Sequence, residues 1–230
     1  MTTRTQATAL LRLLQLSDTA FPTGYFAHSM GLEAFAETGR LRGPDDLERL
    51  ARIYLNSLAT SDCVALRAAY GMSSLDELVE MDLLLSATKL TRELRSASTA
   101  TGGRFLASVS ALGVEGLVLD AYAGAVRSGE TPGNLAVGYG VAAPVLGFGV
   151  EETVLSYLYT SLSSLVAAGQ KLIPLGGNSA QRTLYGLSGE VTRAAEKSKE
   201  VTMDDVYAFA PELDVRSMLH ERQRVRLYIS

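Results

Sequence analysis

Apolar residues along this chain recur at spacings of three and four over long stretches, the period of a helix with one buried face. Leu47, Leu50, Ala51, Tyr54, Leu55 and Leu58 form one such stripe, which Cys63, Leu66 and Tyr70 continue almost in phase. Pro44 followed by Asp45 and Asp46 marks its start, because proline suits the first turn and carboxylates suit the positive end of the helix dipole. A second stripe of Val154, Leu155, Leu158, Leu162, Leu165 and Val166 follows Glu151 and Glu152 and closes at Gly169. Ser74 with Glu77 has the form of a capping box ahead of Leu78, Met81 and Leu85, and Thr202 to Asp205 reads as another short helix start. No segment alternates apolar and polar residues for long, so strands are not expected. Turn markers at 21–24, 39–44, 101–103, 129–133 and 174–177 divide the chain into about eight to ten helices with short connections. The pattern predicts one all-α, single-domain helical bundle over residues 1–230.

The stretch from Asn134 to Gly149 departs from ordinary helix composition. Gly138, Gly140, Gly147 and Gly149 sit among Ala and Val, with Pro144 inside. Glycine costs about 1 kcal/mol at a helix-interior position, so its use here points to close backbone approach. Tight core packing is the first reading, and a contact with another subunit the second.

Composition removes several classes. The 230 residues are 47% hydrophobic and 20% charged, which is globular. The 21 basic residues against 25 acidic ones provide no basic excess for nucleic acid. One cysteine, Cys63, permits no intrachain disulfide and fits a reducing compartment. Residues 131–150 and 153–170 are uncharged, but the first holds Pro132, Pro144 and five glycines, and the second six Ser or Thr hydroxyls and two tyrosines. A spanning helix wants about 20 predominantly apolar residues, so no membrane segment is expected. With no cleavable leader in the first residues either, the expectation is a soluble cytoplasmic protein.

Candidate chemistry is thin. Neither G-x-x-x-x-G-K-[ST] nor G-x-G-x-x-G occurs. Two histidines, His28 and His220, and one cysteine form no metal motif, although two copies of one histidine could meet at a two-fold axis. There is no G-x-S-x-G elbow. Cys63 reads as a small buried hydrophobe, and the pairs Asp45-Asp46, Glu151-Glu152 and Asp204-Asp205 all sit at helix starts, where the dipole accounts for them. No enzyme is expected, though a helical enzyme using His28 or His220 stays a rival reading, as does a generic helical adaptor without a role in metal delivery.

Three local sequences are too particular for packing alone. They are Leu14-Gln15-Leu16-Ser17-Asp18 running into Pro22 to Glu33; Lys171 to Gly176 with Gln181 and Arg182; and His220 to Ser230. In these blocks, and in their order, the chain resembles the UreF family of urease accessory proteins. It departs from the family's pattern at Gly177, where glutamine is usual, at Asn134, where many members have histidine, and in ending Leu-Tyr-Ile-Ser.

The resemblance implies a helical, non-catalytic protein that dimerises, docks onto a UreD/UreH-type accessory protein and recruits a UreG-type GTPase. That assembly delivers nickel to apo-urease, and no cofactor stays bound to the chain. On this basis Phe26 is expected as an apolar anchor and Glu33 and Lys171 as charged contacts on the GTPase-facing surface, with Pro22 and Gly24 shaping the entry turn. Arg182, His220, Arg226 and Tyr228 are further expected partner contacts, and His28 is the better candidate for any transient nickel contact. The tail 220–230 is locally basic yet carries Val225, Leu227, Tyr228 and Ile229. It is therefore expected to order on a partner, with Arg226 gripping a carboxylate. The alternative is that it folds back on its own bundle.

Overall fold

A computed structural model describes residues 2–221 and 227–229, the side chains of residues 2–5 and 26 excepted. They form α1 (Thr2–Ser17), α2 (Leu32–Glu37), α3 (Pro44–Thr60), α4 (Asp62–Gly71), α5 (Leu75–Thr88) and α6 (Arg92–Ala111). The second half continues with α7 (Leu117–Ser128), α8 (Leu135–Leu146), α9 (Val150–Leu172), α10 (Gly177–Gly186), α11 (Ser188–Lys197) and α12 (Pro211–His220). Single 3-10 turns lie at Tyr25–Ala27 and Met203–Asp205, and no strand occurs among the described residues. The all-α bundle expected from the periodicity is therefore what the chain forms. Among the described residues no helix is long and apolar enough to cross a membrane.

Local signals act where they stand. Pro44 occupies the first turn of α3, and the Ser74 side chain accepts a hydrogen bond from the Glu77 N–H at the start of α5. The long stripe from Pro44 to Tyr70 is not one helix. At Ser61 the backbone turns to φ −130°, ψ −86°, and the stripe's second half runs on as α4. Asp62, in the first turn after the break, is buried.

The glycine-rich helix α8 is the axis of the bundle, buried from Leu135 to Ala143 and flanked by α4, α6, α7 and α9. Its glycines set the spacing. A Cβ on Gly140 would sit 2.4 Å from the Leu66 carbonyl oxygen and 2.8 Å from the Ala69 Cβ, so α4 crosses at a distance only glycine permits. The first reading of this stretch, tight packing in the core, is correct. The same constraint corrects the turn expected at 101–103, which lies inside α6. Gly102 is there because a Cβ would come within 2.0 Å of the Gly133 carbonyl oxygen, where the chain enters α8.

That entry is held by Asp82, fully buried on α5. Its carboxylate accepts hydrogen bonds from the Thr131 hydroxyl, the Gly133 and Asn134 N–H groups and the Asn134 side-chain amide, all at 2.6–2.9 Å. Phe105 stacks on Tyr139 with centroids 4.7 Å apart, tying α6 to α8.

Candidate functional site: a clamped C-terminal segment beside a buried polar cavity

Helix α2 begins from an unusual turn. Met30 (φ 52°) and Gly31 (φ 85°) both lie in the left-handed region, which a residue with a side chain enters at a cost. The turn brings α12 in close: a Cβ on Gly31 would meet the Leu213 carbonyl oxygen at 3.3 Å and the Ser217 nitrogen at 3.4 Å. Thr91 and Ser217 hydroxyls pair at 2.9 Å, fastening α12 to the start of α6. Three elements thus converge on His220, the last residue of α12, which has 0% exposure.

Glu33 from α2 and Glu93 from α6 close on the two sides of that imidazole. His220 Nδ1 lies 2.9 and 3.0 Å from the Glu93 oxygens, and Nε2 lies 3.0 Å from Glu33 Oε2. Glu33 also receives the chain's C-terminal segment. The Leu227 N–H donates to its Oε1 at 2.7 Å and the Tyr228 N–H to its Oε2 at 3.0 Å. Burial pushes the Glu33 carboxyl up, but hydrogen bonds from Leu227, His220 and Tyr228 outweigh it and hold the group below the usual carboxylate range. The Tyr228 hydroxyl donates to the Ala168 carbonyl oxygen at 3.3 Å, the Lys171 ammonium lies 5.7 Å from the Tyr228 ring centroid, and the Ile229 N–H donates to the Ala27 carbonyl oxygen at 3.0 Å. Tyr228 is buried, while Leu227 and Ile229 face outward at 75% and 62% exposure.

This geometry corrects part of the sequence reading. Glu33 and His220 were expected to contact a partner, yet both are buried against one another and against the chain's own tail. A carboxylate is removed from water here because three donors from two other segments, the His220 ring and the Leu227 and Tyr228 N–H groups, satisfy it. Tyr228 is likewise spent on the bundle, and residues 227–229 fold back on it without any partner. Lys171 and Arg182 are exposed as expected, with Arg182 Nη2 donating to Ser179 Oγ at 2.8 Å. The Phe26 side chain and Arg226 lie outside the described residues. Glu93 carried no sequence signal, since one acidic residue in the first turn of a helix is ordinary.

His28 is only 4% exposed. Burial, assisted by the Arg104 charge, lowers its imidazole to about 4, so it is neutral at physiological pH and enclosed. Among the described residues no group of three or more His, Cys, Asp or Glu side chains is arranged to hold a metal ion.

Beneath α12 lies a second polar site, a cavity of about 60 Å³. Asp62 accepts from Lys89 Nζ at 2.6 Å, the Tyr157 hydroxyl at 2.9 Å and the Ser61 hydroxyl at 3.1 Å. The Tyr25 and Tyr54 hydroxyls pair at 2.5 Å on another wall. Burial pushes Tyr25 up to about 12 and raises Tyr54 and Tyr157 well above the ordinary phenol range. The neighbouring Cys63 thiol is raised too, by burial first and then by Asp62. None of these groups is primed as a nucleophile.

Comparison with known proteins agrees with the local sequence resemblance. The UreF family model matches residues 41–188. The chain is 37% identical over 228 residues to a urease accessory protein UreF of Paenarthrobacter aurescens (strain TC1), covering 97% of this chain and 99% of that protein. It is 36% identical over 225 residues to that of Arthrobacter sp. (strain FB24), covering 96% of each. It is 31% identical over 219 residues to that of Corynebacterium glutamicum (strain R), covering 95% of this chain and 96% of the relative.

Proposed function

Because the chain belongs to the UreF family of urease accessory proteins, we propose that it acts as a homodimeric adaptor in the cytoplasm, bridging a UreD/UreH-type accessory protein and a UreG-type GTPase during nickel insertion into apo-urease. What carries this reading is kinship along nearly the whole chain. Its surface is consistent with several protein contacts. Leu10, Leu11 and Leu14 are exposed on α1, Val215, Met218 and Leu219 on α12, and Leu227 and Ile229 on the clamped tail. Lys171, exposed, is the charged contact expected at the GTPase, and Arg182, also exposed, is a further partner contact. The chain itself performs no catalysis and keeps no cofactor. Nickel is cargo of the assembly, and His28 meets it only if the fold around that ring opens.

The test is co-expression of a urease operon with and without this chain, reading nickel-dependent urea hydrolysis. Loss of hydrolysis on omission supports the role, whereas unchanged hydrolysis favours a helical adaptor without a part in metal delivery. In a pull-down from the same cells, Lys171→Ala should reduce GTPase capture while the accessory partner is retained. Unchanged capture removes that residue from the interface.

A further inference from the structure

The cavity beneath α12 is lined by polar groups that do not all satisfy one another. Asp62 is complete, accepting from Lys89, Tyr157 and Ser61. Lys89 and Asp214, which line the same space, are not. An ammonium carries three N–H donors, and Lys89 spends one of them, on Asp62. The residue is 9% exposed, so bulk solvent reaches it poorly. Asp214 is 8% exposed. Burial raises its carboxyl, and the Ala210 N–H alone works against that rise, although two carboxylate oxygens offer about four acceptor positions. Lys89 pairs with Asp62 rather than with Asp214, and among the described residues Asp214 makes no ion pair. A buried ammonium and a buried carboxylate with positions left over are costly unless something supplies the missing partners.

The walls fix the chemistry of that partner. A cation would meet the Lys89 ammonium and an anion would meet the two carboxylates, so charge favours a neutral guest. Among the described residues no group is arranged to hold a metal ion. The guest must accept from Lys89 at one end and donate to Asp214 at the other. The Ser57 and Ser98 hydroxyls, on the same walls, can do either. A space of about 60 Å³ holds about two to four waters at roughly 15–30 Å³ each, and little that is larger.

We propose that this cavity is a water-binding site: about two to four bound waters bridge the Lys89 ammonium to the Asp214 carboxylate.

The first turns of α12 are then joined through water to the chain between α5 and α6. The far end of the same helix is fastened directly, by Thr91 to Ser217 and by Glu93 to His220. The site belongs to the free chain, and it stands or falls apart from the docking reading above.

Water ¹⁷O relaxation dispersion counts the waters that a protein holds inside. It should be measured on the full chain and on Ser98→Leu, which places a longer apolar side chain in the cavity. Ser96→Leu, on the same helix but exposed, is the control. The parent should hold about two to four more long-lived waters than Ser98→Leu, while Ser96→Leu matches the parent. Equal counts in the parent and Ser98→Leu overturn the proposal. If Ser98→Leu does not fold, electron density from crystals of the unsubstituted chain decides. Ordered waters hydrogen-bonded to both Lys89 Nζ and the Asp214 carboxylate support the site. A dry cavity, a direct Lys89–Asp214 ion pair or a bound solute other than water overturns it.

Discussion

Replacing Gly140 by alanine sets two effects of opposite sign against each other. Helix propensity alone makes Gly→Ala stabilising by about 1 kcal/mol in a helix interior. The packing says otherwise. The added Cβ would lie 2.4 Å from the Leu66 carbonyl oxygen and 2.8 Å from the Ala69 Cβ, with the Leu66 carbonyl carbon at 3.2 Å. Ordinary contact begins at 3.4 Å, so α4 and α8 must separate by about 1 Å. The atoms met are main chain on a helix that is itself packed against α3, α5 and α9, so no side chain can swing aside. Overpacking of this kind costs about 1–3 kcal/mol and more when backbone must move. We expect Gly140→Ala to lose about 2 kcal/mol net, a fall in Tm of roughly 4–8 °C for a chain of this length. Gly103→Ala is the matched control, because it lies in α6 and a Cβ there meets nothing within 4 Å. It should gain about 0.5–1 kcal/mol. Urea denaturation of the pair measures both. Equal effects in the two variants, or stabilisation by Gly140→Ala, would refute the reasoning that α4–α8 spacing is set by that glycine.

Other expectations are as specific. Asp82→Ala strands the Gly133 and Asn134 N–H groups, the Asn134 amide and the Thr131 hydroxyl away from water, and should cost about 3–5 kcal/mol in urea unfolding; a loss below about 1 kcal/mol would contradict the network's role. His28 titrates at about 4 in the fold against 6.5 outside it, so its contribution is complete above 6.5 and is lost as pH falls toward 4. Stability should therefore decline in that window by up to about 1.4 kcal/mol per unit, and His28→Gln, if folded, should flatten it. Glu151, held down to about 2 chiefly by its paired hydrogen bonds from Arg67, adds a loss only as pH falls from 4.5 toward 2. Its side chain is 47% exposed, so screening limits Glu151→Gln to under about 1 kcal/mol. Cys63, fully buried with a raised thiol, should resist a soluble thiol reagent until the chain unfolds; stoichiometric labelling of native protein would place it wrongly.

Helix starts and core stripes in this chain are local, and one sequence determines them. Pro44-Asp45-Asp46, Ser74 with Glu77, and Glu151-Glu152 act on their own first turns through backbone hydrogen bonds and dipoles, which need nothing distant. The order of three particular sequence blocks was enough to reveal the family. What the tertiary structure alone decided is which polar groups go inside. Gly102 and Gly103 look alike on the page, yet one lies under the Gly133 carbonyl and the other in open space. Ser61 carries no breaking signal, yet the helix turns there so that Asp62 can meet Lys89 and Tyr157, which lie 27 and 95 residues further along. Glu33 reads as a surface charge until His220 and the tail arrive from 187 to 195 residues away to satisfy it. A carboxylate is buried or exposed according to the donors brought to it, and those donors are assembled by the fold, not by the neighbours in sequence.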